Sequence, residues 1–181
     1  MADTQYLDRF ESILEDGLLN LSKQLGLLDG EMLESADITG KWNDSVKDYV
    51  ADAVENFNEY PEFTIACAAY FGMAAAYDWD TDFELFKTRA YKDYYGARGF
   101  DDMDEQIVEY IALEEAQKVK LKLSLQSIAV AAQGLMRHEN IDADTEDGFF
   151  VLVRIYGVMF RLGAAMELHR LGYRNVNIVN A

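Results

Sequence analysis

Apolar residues recur along this chain mostly at three- and four-residue steps, the period of a helix with one buried face, and a single proline interrupts them. The pattern predicts an all-α fold, a compact bundle of five to seven helices, with residues 1–181 as one domain. The first helix spans about 3–28, with Leu7, Phe10, Leu14, Leu18, Leu21, Leu25 and Leu28 on one stripe. Leu7, Leu14, Leu21 and Leu28 repeat every seven residues, but Gly17 and Gly26 interrupt them, so the stripe reads as packing inside a bundle and not as a zipper.

Residues 29–43, with Gly30, Gly40 and Trp42, read as a connection, and a second helix follows from Asn43 or Asp44. Pro61 suits the first turn of a third helix, where its missing N–H has no intrahelical partner. From Phe63 to Tyr77 that helix is apolar on all sides, which predicts a central position near 61–78. Thr81, Asp82, Phe83 and Glu84 form a capping box for a fourth helix ending near Gly96, and Asp102 to Glu105 resembles another opening a fifth. The pattern from Met103 runs on to about His138. Within it, residues 118–125 alternate with period two, which fits a strand locally; a bent helix, or two helices meeting near 118–122, is the preferred reading. Asp144 is the expected cap of a last helix near 145–171, a second central apolar element that Gly172 ends. His169 and Arg170 sit in its final turn, where cations are stabilised, and the tail 173–181 is expected to be loose unless docked.

Charge changes the picture in the first two thirds. Net charge is −17, and residues 1–110 hold 25 acids against 8 bases, whereas residues 111–181 hold 8 of each. Such a surface repels phosphate backbones and anionic headgroups, so neither direct nucleic-acid binding nor membrane binding is expected. Acidity can serve solubility alone; its sharper reading is docking to a basic protein partner, with a homodimer as the other arrangement considered. The acidic start and the helical pattern at the N-terminus do not fit a signal peptide, and the fifteen uncharged residues from Phe63 to Tyr77 fall short of a membrane span, so the expected location is cytoplasmic.

Site chemistry is sparse. Cys67 is the only cysteine, which excludes a disulfide framework and every multi-cysteine metal site. Neither His138 nor His169 has a glutamate three residues before it, as a di-iron bundle needs. Asp78 to Asp82 and Asp142 to Glu146 begin like calcium loops, but Phe83 and Asp147 stand where glycine is required. Both read better as acidic helix N-termini. No metal, no cofactor and no catalytic residue is expected, and the balance leans away from an enzyme.

Two constellations remain. Arg154 and Arg161, two turns apart, share one side of an otherwise apolar helix; inside a core each guanidinium needs a carboxylate, a tyrosine or an anion. Tyr70 and Tyr77 have the same spacing on the third helix, so the four could enclose an anionic or aromatic ligand between the third and last helices. The plainer reading is a solvated stripe or an internal salt bridge. The second constellation, Tyr91, Tyr94, Tyr95, Arg98, Asp101 and Asp102, has the residue types that interfaces enrich. The expected function is therefore a non-enzymatic, acidic, soluble helical protein-interaction module, with the small-molecule-binding bundle as the alternative.

Overall fold

A helix that is apolar on every side must be covered on every side, and the rest of the chain wraps one such helix. The computed structural model describes residues 3–174, and the expectation for the tail beyond Arg174 lies outside them. Among the described residues there are seven α-helices: α1 Thr4–Gln24, α2 Ala36–Phe57, α3 Pro61–Thr81, α4 Phe83–Thr88, α5 Met103–Tyr110, α6 Glu115–His138 and α7 Glu146–Arg170. Two short 3-10 turns, Tyr91–Tyr94 and Phe100–Asp102, carry the chain from α4 to α5. The fold is an all-α helical bundle. α3 runs through the middle, packed most extensively along α7 and also against α2, α4, α5 and α6, while α1 lies across α6 and α7.

α3 and α7 approach backbone to backbone. A Cβ on Gly72 would collide with the Phe160 carbonyl oxygen and lie 2.9 Å from the Ala164 nitrogen. One on Gly163 would collide with the Ala69 carbonyl oxygen and lie 2.6 Å from its Cα. Each helix thus supplies a glycine at the point where the other's backbone arrives. Around this crossing Trp42, Tyr49, Phe71, Tyr91, Tyr94, Tyr156 and Phe160 form an aromatic core with ring centroids 5.0–6.5 Å apart. α7 is long and apolar enough to cross a membrane by length and composition alone, and two thirds of its most apolar window is buried in the bundle.

Several boundaries differ from the expected ones. α2 begins at Ala36, well before Asn43, because Ile38 and Trp42 are its first buried positions; a mid-helix glycine costs only ~1 kcal/mol, which their burial exceeds, so Gly40 does not break it. α4 stops at Thr88 and not near Gly96, since Phe86 is its only buried residue; Asp82, not Thr81, caps it by accepting from Leu85 N at 3.1 Å. Thr145, not Asp144, caps α7, accepting from Gly148 N at 3.0 Å. The run from Met103 to His138 is two helices that meet at 111–114, upstream of 118–122, and residues 118–125 are helical throughout.

That break belongs to a repeated device. α1, α5, α6 and α7 each end with a residue in the left-handed region, namely Gly26 (φ 74°), Ala112 (φ 58°), Asn140 (φ 56°) and Gly172 (φ 101°). In each, the amide one residue further on reaches back to a carbonyl in the last turn: Leu27 to Ser22, Leu113 to Val108, Ile141 to Met136 and Tyr173 to Leu168, at 2.9–3.2 Å. Two glycines adopt this conformation freely; Ala112 does so at a cost.

Candidate functional site

Arg154 and Arg161 of α7 are held mainly by α1. Arg161 donates to Glu15 at 2.7 Å, to Glu11 at 2.9 Å and to Glu34 at 3.3 Å, and Arg154 bonds Glu11 and lies 3.0 Å from Asp8. Burial works against the Arg161 charge, but Glu15 and Glu11 outweigh it and leave its pKa raised. The guanidiniums and carboxylates form one ionic seam between the two helices. It is partly wet: the Arg161 side chain is 20% exposed, and those of Glu11 and Glu15 are 26% and 28%.

Tyr70 and Tyr77 are not part of it. At about 100° per residue, they lie about 140–160° around α3 from Gly72, and the two arginines lie about 160–180° around α7 from Gly163, so both pairs turn away from the α3–α7 crossing. Tyr77 packs edge-on against Tyr110 of α5 at 5.4 Å. Tyr70 lines a hollow of about 220 Å³ with Phe63, Asp104 and Lys122, and burial pushes its hydroxyl pKa well up. The structure thus brings the arginines to carboxylates and the tyrosines to α5 and α6.

Arg161→Ala strands Glu15 and leaves Glu11 to Arg154 alone, and it is expected to cost ~2 kcal/mol, below the ~3–5 kcal/mol of a fully buried pair because water reaches this one. Arg9, 62% exposed and 3.7 Å from Glu139, should cost under ~0.5 kcal/mol on the same substitution. Urea denaturation of both variants measures the difference.

The tyrosine-rich segment folds inward as well. Tyr91 and Tyr94 are buried and Tyr95 is half-buried. Tyr91 donates to Asp52 Oδ2 at 2.8 Å, and Tyr95 donates to the same oxygen. Tyr94 donates to Asp78 Oδ2 at 2.7 Å, and Tyr110 to Asp78 Oδ1. Arg89 completes this second cluster at 3.1 Å from Asp78, with its guanidinium 4.0 Å over the Tyr94 ring and 4.5 Å over that of Tyr110. Desolvation and then the hydrogen bond to a carboxylate push Tyr95 and Tyr110 up to about 12, so both stay protonated donors at neutral pH. Lys41 Nζ donates to the Arg89 carbonyl at 2.6 Å and also to that of Phe86, pinning the same segment from α2.

Asp78 thus sits in the last turns of α3 and not at a helix N-terminus, and its side chain is fully buried. Sequence reasoning missed this cluster. Its one signal is an aspartate directly following the apolar run; its partners come from the end of α4 (Arg89), the first 3-10 turn (Tyr94) and α5 (Tyr110). Cys67 is fully buried, and burial pushes its thiol pKa well above the ordinary value. Of the candidate interface residues, Arg98 and Asp101 are exposed, while Asp102 is half-buried and accepts from Arg98 N at 3.0 Å.

Arg98 and Asp101 border an open groove of about 490 Å³ with Asn56, Glu59, Tyr60 and Phe63. Tyr60, the residue before Pro61, is 58% exposed there. Comparison of the chain with family models, with curated proteins and with solved structures finds no match.

Proposed function

We propose that the protein is a non-enzymatic interaction module that docks a basic segment of a protein partner. The observation that carries this is the groove at Tyr60. An exposed aromatic face stands there beside Glu59 and Asp101, and among the described residues neither carboxylate makes an ion pair. A lysine or arginine entering the groove meets a ring, for cation–π contact worth about 0.5–1 kcal/mol at an exposed site, and two free carboxylates. The net charge of −17 adds steering toward cations. The carboxylates of Asp52 and Asp78, by contrast, are consumed by internal tyrosines and Arg89, which favours structural over catalytic work for them.

The test is fluorescence anisotropy with a labelled peptide of alternating lysine, arginine and leucine, titrated from about 0.05 to 0.5 M salt, a range over which screening grows steeply. Affinity should fall as salt rises. Tyr60→Ala, and separately Glu59→Lys with Asp101→Lys, should each weaken binding about five- to tenfold with helix content unchanged. Asp102 and Asp104 stay unaltered because the first accepts a backbone hydrogen bond and the second is half-buried. If Asp44→Lys with Asp48→Lys, on exposed α2, weakens binding as much, the peptide feels only general acidity and the groove reading fails.

A further inference from the structure

Residues 118–125 alternate polar and apolar, and in a helix that alternation cannot sort into two faces. Leu121 and Leu125 turn into the core. At about 100° per residue, Lys118 and Lys122 then fall on one edge of the exposed side of α6 and Lys120 on the other. An apolar row runs between them. Val119, Leu123 and Val130 lie within about 40° of one another around the helix, and each is more than half exposed. Exposed Ala116 and Gly134 extend the row to about 27 Å, with Gln126 between Leu123 and Val130. Such a row, rimmed by charge, marks an interaction surface.

Its charge runs against that of the chain. From Ala116 to His138 there is no aspartate or glutamate, the longest such stretch in a sequence with 33 of them, and it holds Lys118, Lys120, Lys122 and Arg137. Lys118 is paired with Glu109 and Glu115; among the described residues the other three make no ion pair. The two edges differ. Beside Lys122, Glu62 and Asp104 line the hollow at Tyr70. Beside Lys120 lies a second hollow, of about 210 Å³, whose lining includes Gln117, His169 and Arg170 but no carboxylate. Arg170 is itself bonded to buried Glu167, which leaves Lys120 as the unpaired cation of that edge.

We propose that the exposed face of α6 docks an acidic amphipathic helix of a protein partner, with its apolar row against Val119, Leu123 and Val130 and its carboxylates along the Lys120 edge. The row is one helix wide, which suits a helix read through anchors at three- and four-residue steps. A net charge of −17 does not prevent this, because charges beyond a Debye length of ~8 Å are screened while Lys120 borders the contact itself. A flat anionic membrane would meet exposed Glu109 and Glu115 as well as the lysines. A second copy offers no matching row, since among large apolar side chains the acidic helices α1 and α2 expose only Ile13 and Val54. The face shares no residue with the Tyr60 groove, so this site stands or falls independently of that one.

The experiment is fluorescence anisotropy of the full chain with a labelled peptide of about 20 residues, long enough to span the row, in which leucines recur at three- and four-residue steps and glutamates fill one flank. A dissociation constant below about 100 µM is expected, with a scrambled peptide of the same composition at least about tenfold weaker. Leu123→Glu with Val130→Glu should weaken binding at least about tenfold, with circular dichroism unchanged because both side chains are exposed. Lys120→Glu should weaken it about fivefold and Lys122→Glu less than about twofold. Ile13→Glu, exposed on α1, should leave it unchanged. No binding to the wild type, equal binding of the scrambled peptide, equal losses at Lys120 and Lys122, or a double variant no weaker than Ile13→Glu would each overturn the proposal. So would cosedimentation with phosphatidylglycerol vesicles that the double variant loses, which assigns the face to lipid, or a dimer in light scattering that the double variant dissolves, which assigns it to a second copy.

Discussion

Replacing Gly163 with alanine is expected to cost at least ~3–4 kcal/mol, although alanine is ordinarily the better helix former. A new methyl would occupy the place of the Ala69 carbonyl group, and backbone cannot swing aside as a side chain can. The helices must part, and the aromatic core packed around them loses contacts along its length. Gly72→Ala should behave alike, because its methyl would meet the Phe160 carbonyl. For a chain of this size each kcal/mol shifts the melting temperature by roughly 2–4 °C, so a fall near 10 °C is the expected reading in calorimetry. Gly17→Ala is the control. It lies in α1 with nothing within 4 Å of its would-be Cβ, and it should stabilise by ~0.5–1 kcal/mol. Equal effects at Gly17 and Gly163 would mean that the central crossing is wider than described.

The second large effect is at Asp78. Its carboxylate is fully buried and receives hydrogen bonds from Tyr94, Tyr110 and Arg89, so Asp78→Ala removes one group and strands three. The expected cost is ~3–5 kcal/mol, that of breaking a buried ion pair. Asp78→Asn keeps the shape and loses the charge; it should recover part of the loss, because Arg89 is 14% exposed and not wholly cut off from water. A double-mutant cycle with Arg89→Met should give a coupling of ~1–3 kcal/mol. Additive effects would show that the arginine and the aspartate are independent, and that the aromatic faces and the Asp93 carbonyl, which accepts from Arg89 at 3.0 Å, hold Arg89 without the carboxylate.

These two sites also mark where the chain was legible and where it was not. The unbroken apolar run from Phe63 to Tyr77 placed α3 at the centre, and Pro61 and Gly172 marked helix ends, because each of these signals is local. Ala112 gave none: alanine in the left-handed conformation is held by packing on both sides, which no propensity reveals. The need of Arg154 and Arg161 for carboxylates could be argued from their apolar neighbours. That the carboxylates lie on α1, about 150 residues earlier, could not, since the geometry depends on which face of α7 meets α3. The equal spacing of Tyr70 and Tyr77 suggested a counterpart for those arginines; the glycines that decide the contact face point elsewhere.

The burial of α3 has a consequence for how the chain is made. Its chief cover, α7, begins about 65 residues after α3 ends. At ~5–20 residues per second, a ribosome needs roughly 3–13 s to synthesise the intervening stretch. Throughout that time a helix with Ile65, Phe71 and Met73 on different sides has no permanent place to hide, and no charged side chain between Phe63 and Tyr77 keeps it in solution. α2 can shelter one side as soon as it emerges, being joined to α3 by a short turn, but the side carrying Gly72 stays bare until Gly163 arrives. The nascent chain is therefore most exposed to self-association midway through its synthesis, and the acidic first half supplies the repulsion that keeps neighbouring copies apart until the bundle closes.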